Sequence, residues 1–383
     1  MTLGRTDVPG HGDPSEGVRR SARARRTNPV ALTLWAAALV LGIACTPAAT
    51  QAPVARTQAP AATAPAAAPA GTTIVKAGVL PVISSGPLFI AMERGYLKEY
   101  GIDVVTETFE SGARMIPSLA TGQLDVGSGA ISAGLFNAVA REISLKVVAL
   151  QAASTPGHGN IAMFVRKDLL DSGAFKDYPD MKGRKVAIAA KGTSSEILLD
   201  RALQHGGLKM SDVQVVELTV ADMAAAFTTN NLDIGFINEP TATATTDRGF
   251  AVRWKGGDEI FPNQLFAAWF YSEQFANQRP EVATRFMAAL LRGTRDFIDA
   301  FEKGKDKAAV VDILIKNTPV KDRNLYDRMV NAGMNPNGYI DLKMLEAEQD
   351  WYSANGQVQT KVPVDKLVDH SFVDKALEII GKI

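Results

Sequence analysis

The chain has 383 residues, with 41 basic and 41 acidic side chains, no net charge and a single cysteine. Beyond residue 45 no basic run stands, which argues against a nucleic-acid partner, and one thiol excludes internal disulfides and thiolate metal clusters. Beyond residue 45 only His158, His205 and His370 remain, widely spaced and without an HExxH arrangement, which is little material for a metal or triad enzyme.

The first 44 residues have the layout of an export signal. Arg19, Arg20, Arg23, Arg25 and Arg26 precede an uncharged apolar run from Val30 to Ala44, and the small residue Ala44 precedes Cys45. The competing reading is an uncleaved anchor, because Thr27 to Ala44 is close to the length that a membrane span requires. From Thr46 to Thr72 the chain holds twelve Ala, five Pro and five Thr in 27 residues, with Arg56 its only charge. Such a composition cannot bury a core, and five prolines interrupt any helix, so residues 45–72 are expected to form an extended tether. At about 3.1 Å per residue it reaches roughly 80 Å.

The remaining residues are enough for two packed lobes. Ile74 to Leu80 is expected as a strand, followed by a helix from Gly86 towards Tyr100. An internal repeat follows at an offset of 108 residues. Met115-Ile-Pro-Ser-Leu-Ala-Thr-Gly-Gln-Leu-Asp125-Val-Gly127 corresponds to Met223-Ala-Ala-Ala-Phe-Thr-Thr-Asn-Asn-Leu-Asp233-Ile-Gly235. Each copy follows a β-like run, Asp103 to Phe109 and Val213 to Leu218, and reads as a parallel strand–helix–strand unit. Leu145 to Leu150, Ile161 to Val165 and Lys185 to Ala189 are further strands, and Ser195 to His205 a helix. Leu265 to Tyr271 is an apolar run expected to cross back to the first lobe. The last third is helical, with Val282, Phe286, Leu290, Phe297 and Phe301 on one face after Pro280, then Asp306 to Thr318 and Asp341 to Tyr352. This alternation predicts an α/β fold of doubly wound sheets.

Ligands of open α/β sheets bind beyond the carboxyl ends of the strands, near helix starts. Five small, polar loops fall at such ends. They contribute Ser84, Ser85 and Gly86; Ser111 and Gly112; Gly129, Ala130 and Ser132; Gly192, Thr193, Ser194 and Ser195; and Asn238 and Glu239. Free backbone N–H groups at helix starts suit anionic ligand groups, whereas each serine taken singly is equally a plain cap. Neither a P-loop nor a GxGxxG fingerprint is present.

Several of these stretches carry a resemblance. Ser85-Gly-Pro-Leu-Phe-Ile-Ala-Met-Glu-Arg-Gly-Tyr96, Gly101-Ile-Asp-Val, Ser111-Gly, Leu119-Ala-Thr-Gly-Gln-Leu-Asp-Val-Gly127, Lys185-Val-Ala-Ile with Gly192-Thr-Ser-Ser, and Val368-Asp-His-Ser-Phe-Val373 stand in this order. Together they resemble the periplasmic substrate-binding proteins of the nitrate/sulfonate/taurine and thiamine-precursor group of ABC importers. The Cys after a small residue likewise resembles a bacterial lipoprotein signal, with Cys45 the lipidated residue; Gly42 departs from the usual branched aliphatic.

The resemblance implies a bilobal type II binding fold, two sheets joined by two crossing strands, with a helical C-terminal layer on the first lobe. On that reading the lobes divide as 73–153, 154–264 and 265–383, the last returning to the first lobe. It implies a monomeric, non-enzymatic receptor without cofactor or metal, exported and lipid-anchored outside the cytoplasmic membrane. It captures a small solute and serves an ABC permease and its ATPase. Two alternatives stay open: a lyase or pyrimidine synthase of the thiamine-precursor type, whose Cys-rich motif is impossible with Cys45 alone, and a ligand-sensing lobe for a membrane kinase.

The ligand class also stays open. The loops favour a sulfonate, carboxylate or nitrate-like anion, with Arg114 and Lys191 adjacent. Phe109, Phe136, Phe266 and Trp269 near strand ends suit a vitamin-type heterocycle, and Glu239 facing the cleft would repel an anion.

Overall fold

The computed structural model describes residues 72–383; the export signal, Cys45 and nearly all of the tether lie outside the described residues. Ten strands form two five-stranded sheets. The chain first lays down β1 (Thr73–Val79), β2 (Ile102–Thr108), β3 (Val126–Ala130) and β4 (Leu145–Ser154). It then crosses to β5 (Ile161–Arg166), β6 (Lys185–Ile188), β7 (Gln214–Glu217), β8 (Ile234–Asn238) and β9 (Ala251–Gly256). Finally it returns through β10 (Gln264–Ser272).

The sheet orders are β2-β1-β3-β10-β4 and β7-β6-β8-β5-β9, the same pattern twice. In each sheet the first three strands run parallel, and the fourth, which arrives from the other lobe, runs antiparallel to both neighbours. The two-lobe α/β architecture expected from the repeat is therefore present, with mixed rather than purely parallel sheets.

The repeat has a physical basis. In the first lobe the Asp125 carboxylate accepts the Lys76 amide of β1 at 2.8 Å, while the Asp125 amide donates to the Lys76 carbonyl at 2.9 Å. In the second lobe Asp233 makes the same pair of contacts with Lys185 of β6, at 3.0 and 3.2 Å. Each carboxylate also meets an arginine, Arg279 for Asp125 and Arg166 for Asp233, the latter at 2.9 Å. The Leu before each Asp is buried, and the Gly two residues after it lies under the helix that enters the unit. A methyl group on Gly127 would sit 3.0 Å from Leu119, and on Gly235 3.3 Å from Phe227.

Two elements differ from expectation in a local way. The helix begun at Gly86 stops at Glu93, and a second turn, Tyr96–Glu99, restarts after Gly95 at φ 76°. The second lobe also contains the helix Thr241–Arg248 and strand β9, both without a clear periodic signal. The long helix Pro280–Lys303 buries Phe286, Leu290 and Phe297 as expected, worth roughly 1.5–3 kcal/mol each. It lies on Gly86–Glu93 so closely that a methyl on Gly293 would reach 2.1 Å from the Pro87 carbonyl.

The crossings run from Ser154 to Ile161 and from Gly256 to Gln264. Beside them the helix Leu342–Ala354 inserts Glu348, fully buried, whose Oε1 accepts the Leu265 amide at 2.7 Å. Burial pushes the Glu348 carboxyl well above its ordinary range, and burial likewise raises the nearby Tyr352 hydroxyl.

Asp125→Ala leaves the Lys76 amide unpartnered and is expected to destabilise the fold by roughly 1–3 kcal/mol in urea unfolding. Asp233→Ala is expected to cost less, because its side chain is 20% rather than 9% exposed. Equal losses would show that burial does not set the strength of the two contacts. Glu348, with its folded pKa raised, favours the folded state fully below the ordinary value of 4.5 and loses that contribution as pH rises through the folded value. Glu348→Gln keeps the acceptor for Leu265 and removes the titration. The variant's stability should therefore gain on the wild type as the pH rises above 4.5, and parallel curves would mean that Glu348 does not titrate anomalously.

Candidate functional site

The carboxyl ends of β1, β3, β6 and β8 face one another across the crossings, the arrangement in which α/β sheets bind ligands. Between the sheets lies a cavity of about 360 Å³. Its first-lobe wall is the loop Pro81–Ser84, and its second-lobe wall is Asn160, Ile161 and the β8 end from Asn238 to Thr241. Phe266 of β10 enters from the return crossing, and the irregular segment 319–334, with Met329, Asn331 and Met334, closes the remaining side.

Glu239 is the one charged residue in this lining, and its carboxylate is fully engaged. Oε2 accepts the Thr243 amide at 3.0 Å and hydroxyl at 2.7 Å, and Oε1 accepts Arg253 Nη1 at 3.1 Å. Oε1 also accepts the amide of Val330 at 3.3 Å, so Glu239 ties the second lobe to segment 319–334. Arg253 in turn donates to the Gly159 carbonyl at 2.5 Å. The side chain of Glu239 is only 5% exposed.

The other expected site residues separate into groups. Ser84 lines the cavity, but Ser85 lies behind it, 1% exposed, accepting Gln151 Nε2 at 3.3 Å; the same nitrogen reaches Ser128 at 3.2 Å. Gly86 is packed beneath Phe297 and Leu314. Ser111 and Ala130 are exposed at the first-lobe edge, where Gly112 and Gly129 meet so tightly that a methyl on Gly112 would lie 2.5 Å from the Gly129 Cα.

Ser132 and Gly192–Ser195 form a second meeting point of the lobes. Ser132 caps its helix by accepting the Leu135 amide at 3.4 Å, and the next amide, Ala133, donates across the cleft to the Gly192 carbonyl at 3.0 Å. The Gly192 amide donates to Glu196 Oε2 at 2.6 Å, and Gln357 joins the same oxygen at 2.8 Å. Thr193 bonds the Ala190 carbonyl at 2.7 Å and Ser195 at 2.9 Å, and Ser195 accepts the Ala189 amide at 3.3 Å. The Ser194 carbonyl accepts Gln264 at 2.9 Å. Two further contacts bridge the lobes, Arg328 to Asp247 at 2.5 Å and Trp351 Nε1 to Asp200 at 2.7 Å.

Of the aromatic candidates, Phe266 lines the cavity, Phe136 and Trp269 are core, and Phe109 packs half-buried on the first-lobe core. Arg114 and Lys191 are not in the lining. The lining residues that sequence reasoning passed over include Asn160, Val220, Thr241 and the segment 319–334. That segment interrupts a helical region with Pro319, Asn324, Asn331 and Gly333, a turn signal that marks it as something other than a packing helix.

A model of the NMT1-like family matches residues 68–314. The chain is 28% identical over 248 residues to a protein of Brucella abortus named as a binding protein, covering 63% of this chain and 70% of that one. It is 26% identical over 312 residues to a Bacillus subtilis protein named for binding aliphatic sulfonates, covering 77% and 86%. In fold it is similar to the periplasmic aliphatic sulphonate binding protein SsuA from Escherichia coli, with TM-score 0.64, 24% identity and 77% and 92% coverage. The desulfurization enzyme DszB shares the fold as well, at TM-score 0.59, 17% identity and 80% and 99% coverage, so architecture alone does not separate receptor from enzyme. With a family match over more than half its length, on a bilobal frame with a cavity between the lobes, the chain belongs to the NMT1-like family.

Proposed function

We propose that this protein is the solute receptor of an ABC importer, working outside the cytoplasmic membrane. The observation that carries the reading is the cavity itself: its walls come from both lobes, and along the backbone only two crossings join them. A solute held there touches both lobes and so favours the closed arrangement over an open one, the form that a permease would recognise. The sulfonate-binding relatives support receptor over catalyst, and so does the lining. It offers the hydroxyls of Ser84 and Thr241 and three asparagines but neither histidine nor cysteine, and its carboxylate is already bonded four ways.

The N-terminal layout supports a tethered receptor: Cys45 carries the lipid, and the Ala/Pro-rich stretch gives the lobes reach from the bilayer. A permease and an ATPase are then the partners, and the protein acts as a monomer without cofactor.

A solute that binds at 100 times its dissociation constant should add about 2.7 kcal/mol of stability, and X-ray scattering should show a smaller radius of gyration in its presence. Glu239→Ala should keep the fold and lose that compaction, because the tie to Val330 goes. Compaction unchanged in the variant, or conversion of the solute to a product seen by mass spectrometry, would count against this mechanism. Cys45→Ser should move the protein from the detergent phase to the aqueous phase in a partition experiment; retention would show that residues 27–44 stay as a helical anchor.

A further inference from the structure

The junction between the lobes carries two buried carboxylates, one from each side. Glu348 stands on the helix Leu342–Ala354 of the first lobe. Its Oε1 accepts the Leu265 amide of the return strand at 2.7 Å, and its Oε2 is buried without a partner. Glu196 stands on the second-lobe helix Ser194–His205 and accepts the Gly192 amide at 2.6 Å and Gln357 Nε2 at 2.8 Å. Tyr352 lies in the field of both acids, and its hydroxyl is also buried and unpartnered. Ile197, next to Glu196, packs into the same apolar cluster as Tyr352 and Leu265, so the second-lobe helix covers this part of the first lobe.

The polar groups around the two acids are short of donors. Gln264 donates to the Ser194 carbonyl and Gln357 to Glu196, which leaves the Oε1 of each glutamine buried without a donor. Nor does a cation stand near. Ala133–Ala140 has no titratable side chain, and Tyr271 of β10 is turned to the Ala283 carbonyl. Arg201 donates to Gln204 and lies over the Phe261 ring, His205 meets the Ile260 carbonyl, and Asp200 holds Trp351 Nε1. Lys361 pairs with Asp350 at the surface, and Lys343, Glu346, Asp365 and Lys366 are exposed. A buried carboxylate with neither a cation nor enough donors is costly, and such a group keeps its proton. On Glu348 that proton turns Oε2 from an orphaned acceptor into a donor.

We propose that a single proton on Glu348 locks the pivot between the two lobes. With the proton in place, the flank of Glu348, Tyr352, Gln357 and Glu196 stays dry and holds the lobes together beside the crossings. Without it, carboxylates on opposite lobes meet at a junction that has no countercharge. Water then enters, and the crossings alone carry the connection. Burial raises Glu348 above the ordinary carboxyl value of 4.5, which fixes the direction. The lock is complete below that value and is lost as pH rises through the value in the closed flank.

The test uses the full chain with Cys45→Ser, which leaves no other cysteine. Lys191→Cys and Gln359→Cys, both exposed and on opposite lobes of this flank, then carry a pair of spin labels. Pulsed dipolar distances are measured from about pH 5 to about pH 9, a span that includes the values buried glutamates reach. One narrow distance is expected at the acid end. A longer population should grow towards the alkaline end, by up to about tenfold per pH unit for one proton. Glu348→Gln, neutral throughout, should stay narrow. Infrared spectra should show a protonated-carboxyl band at the acid end that Glu348→Gln lacks and that fades in the wild type as the longer population grows. A wild-type distance that stays narrow over the whole range overturns the proposal. A band missing at the acid end, or equal broadening in Glu348→Gln, overturns it as well. Should Glu348→Gln fail to fold, the wild-type distances and spectra decide the matter by themselves.

Discussion

Both sheets depend on one contact, a carboxylate that turns back on the middle one of its lobe's three parallel strands. Asp125 and Asp233 arrive at the entrance to the third strand and seize both polar groups of the residue opposite, Lys76 or Lys185. Without that contact the helix between would have no fixed return point, because β1 and β3 pair at a single register position, Ala77 with Val126. The arginines that neutralise the carboxylates come from outside the units. Arg279 precedes the long C-terminal helix and also donates to the Ile74 carbonyl at 3.1 Å, while Arg166 ends β5 and reaches the Leu232 carbonyl at 3.4 Å. Each lobe is thus locked by a residue from outside the strand–helix–strand unit that carries the Asp.

The same economy shapes the cleft. Helix starts at the cleft are the natural anion sites of such a fold, and here Glu196 and Glu239 occupy two of them from within the chain. Glu239 does so while also holding Val330, so a single side chain neutralises Arg253, caps a helix and docks the irregular segment that covers the cavity. Burying a carboxylate with four partners avoids the penalty that an unpaired charge would carry there. The cost is specificity of placement: every one of those partners must be in register when the lobes meet.

The sheets were legible from sequence because their signals are local and duplicated. The Leu-Asp-aliphatic-Gly ending with its entering helix recurs, and β-branched runs mark the strands. β9 and Thr241–Arg248 were not, since Val252 is partly exposed and the helix is rich in threonine, so neither shows an apolar period. In the cleft, Ser84, Asn238 and Glu239 stood at strand ends that face the cavity. Ser85 stood beside them in sequence, but Gln151, a residue of β4 with no local signal, draws its hydroxyl inward. Asn160 and Asn331 have no periodic or motif context at all. Their place in the cavity wall comes from tertiary placement of loops, which a sequence pattern does not record.

The helix Leu342–Ala354 gives the molecule a third connection beyond the two crossings. Glu348 grips the return strand, Trp351 reaches Asp200 on the second lobe, and Gln357 just past its end reaches Glu196. A pair of lobes joined along one flank in this way swings like a door on a jamb. The flank with Gly192 and Ala133 lies near the pivot and moves little, whereas the free edge at residues 319–334 travels farthest. Opening at that edge would require the Glu239–Val330 and Arg328–Asp247 contacts to break, which would make solute exchange a one-sided event.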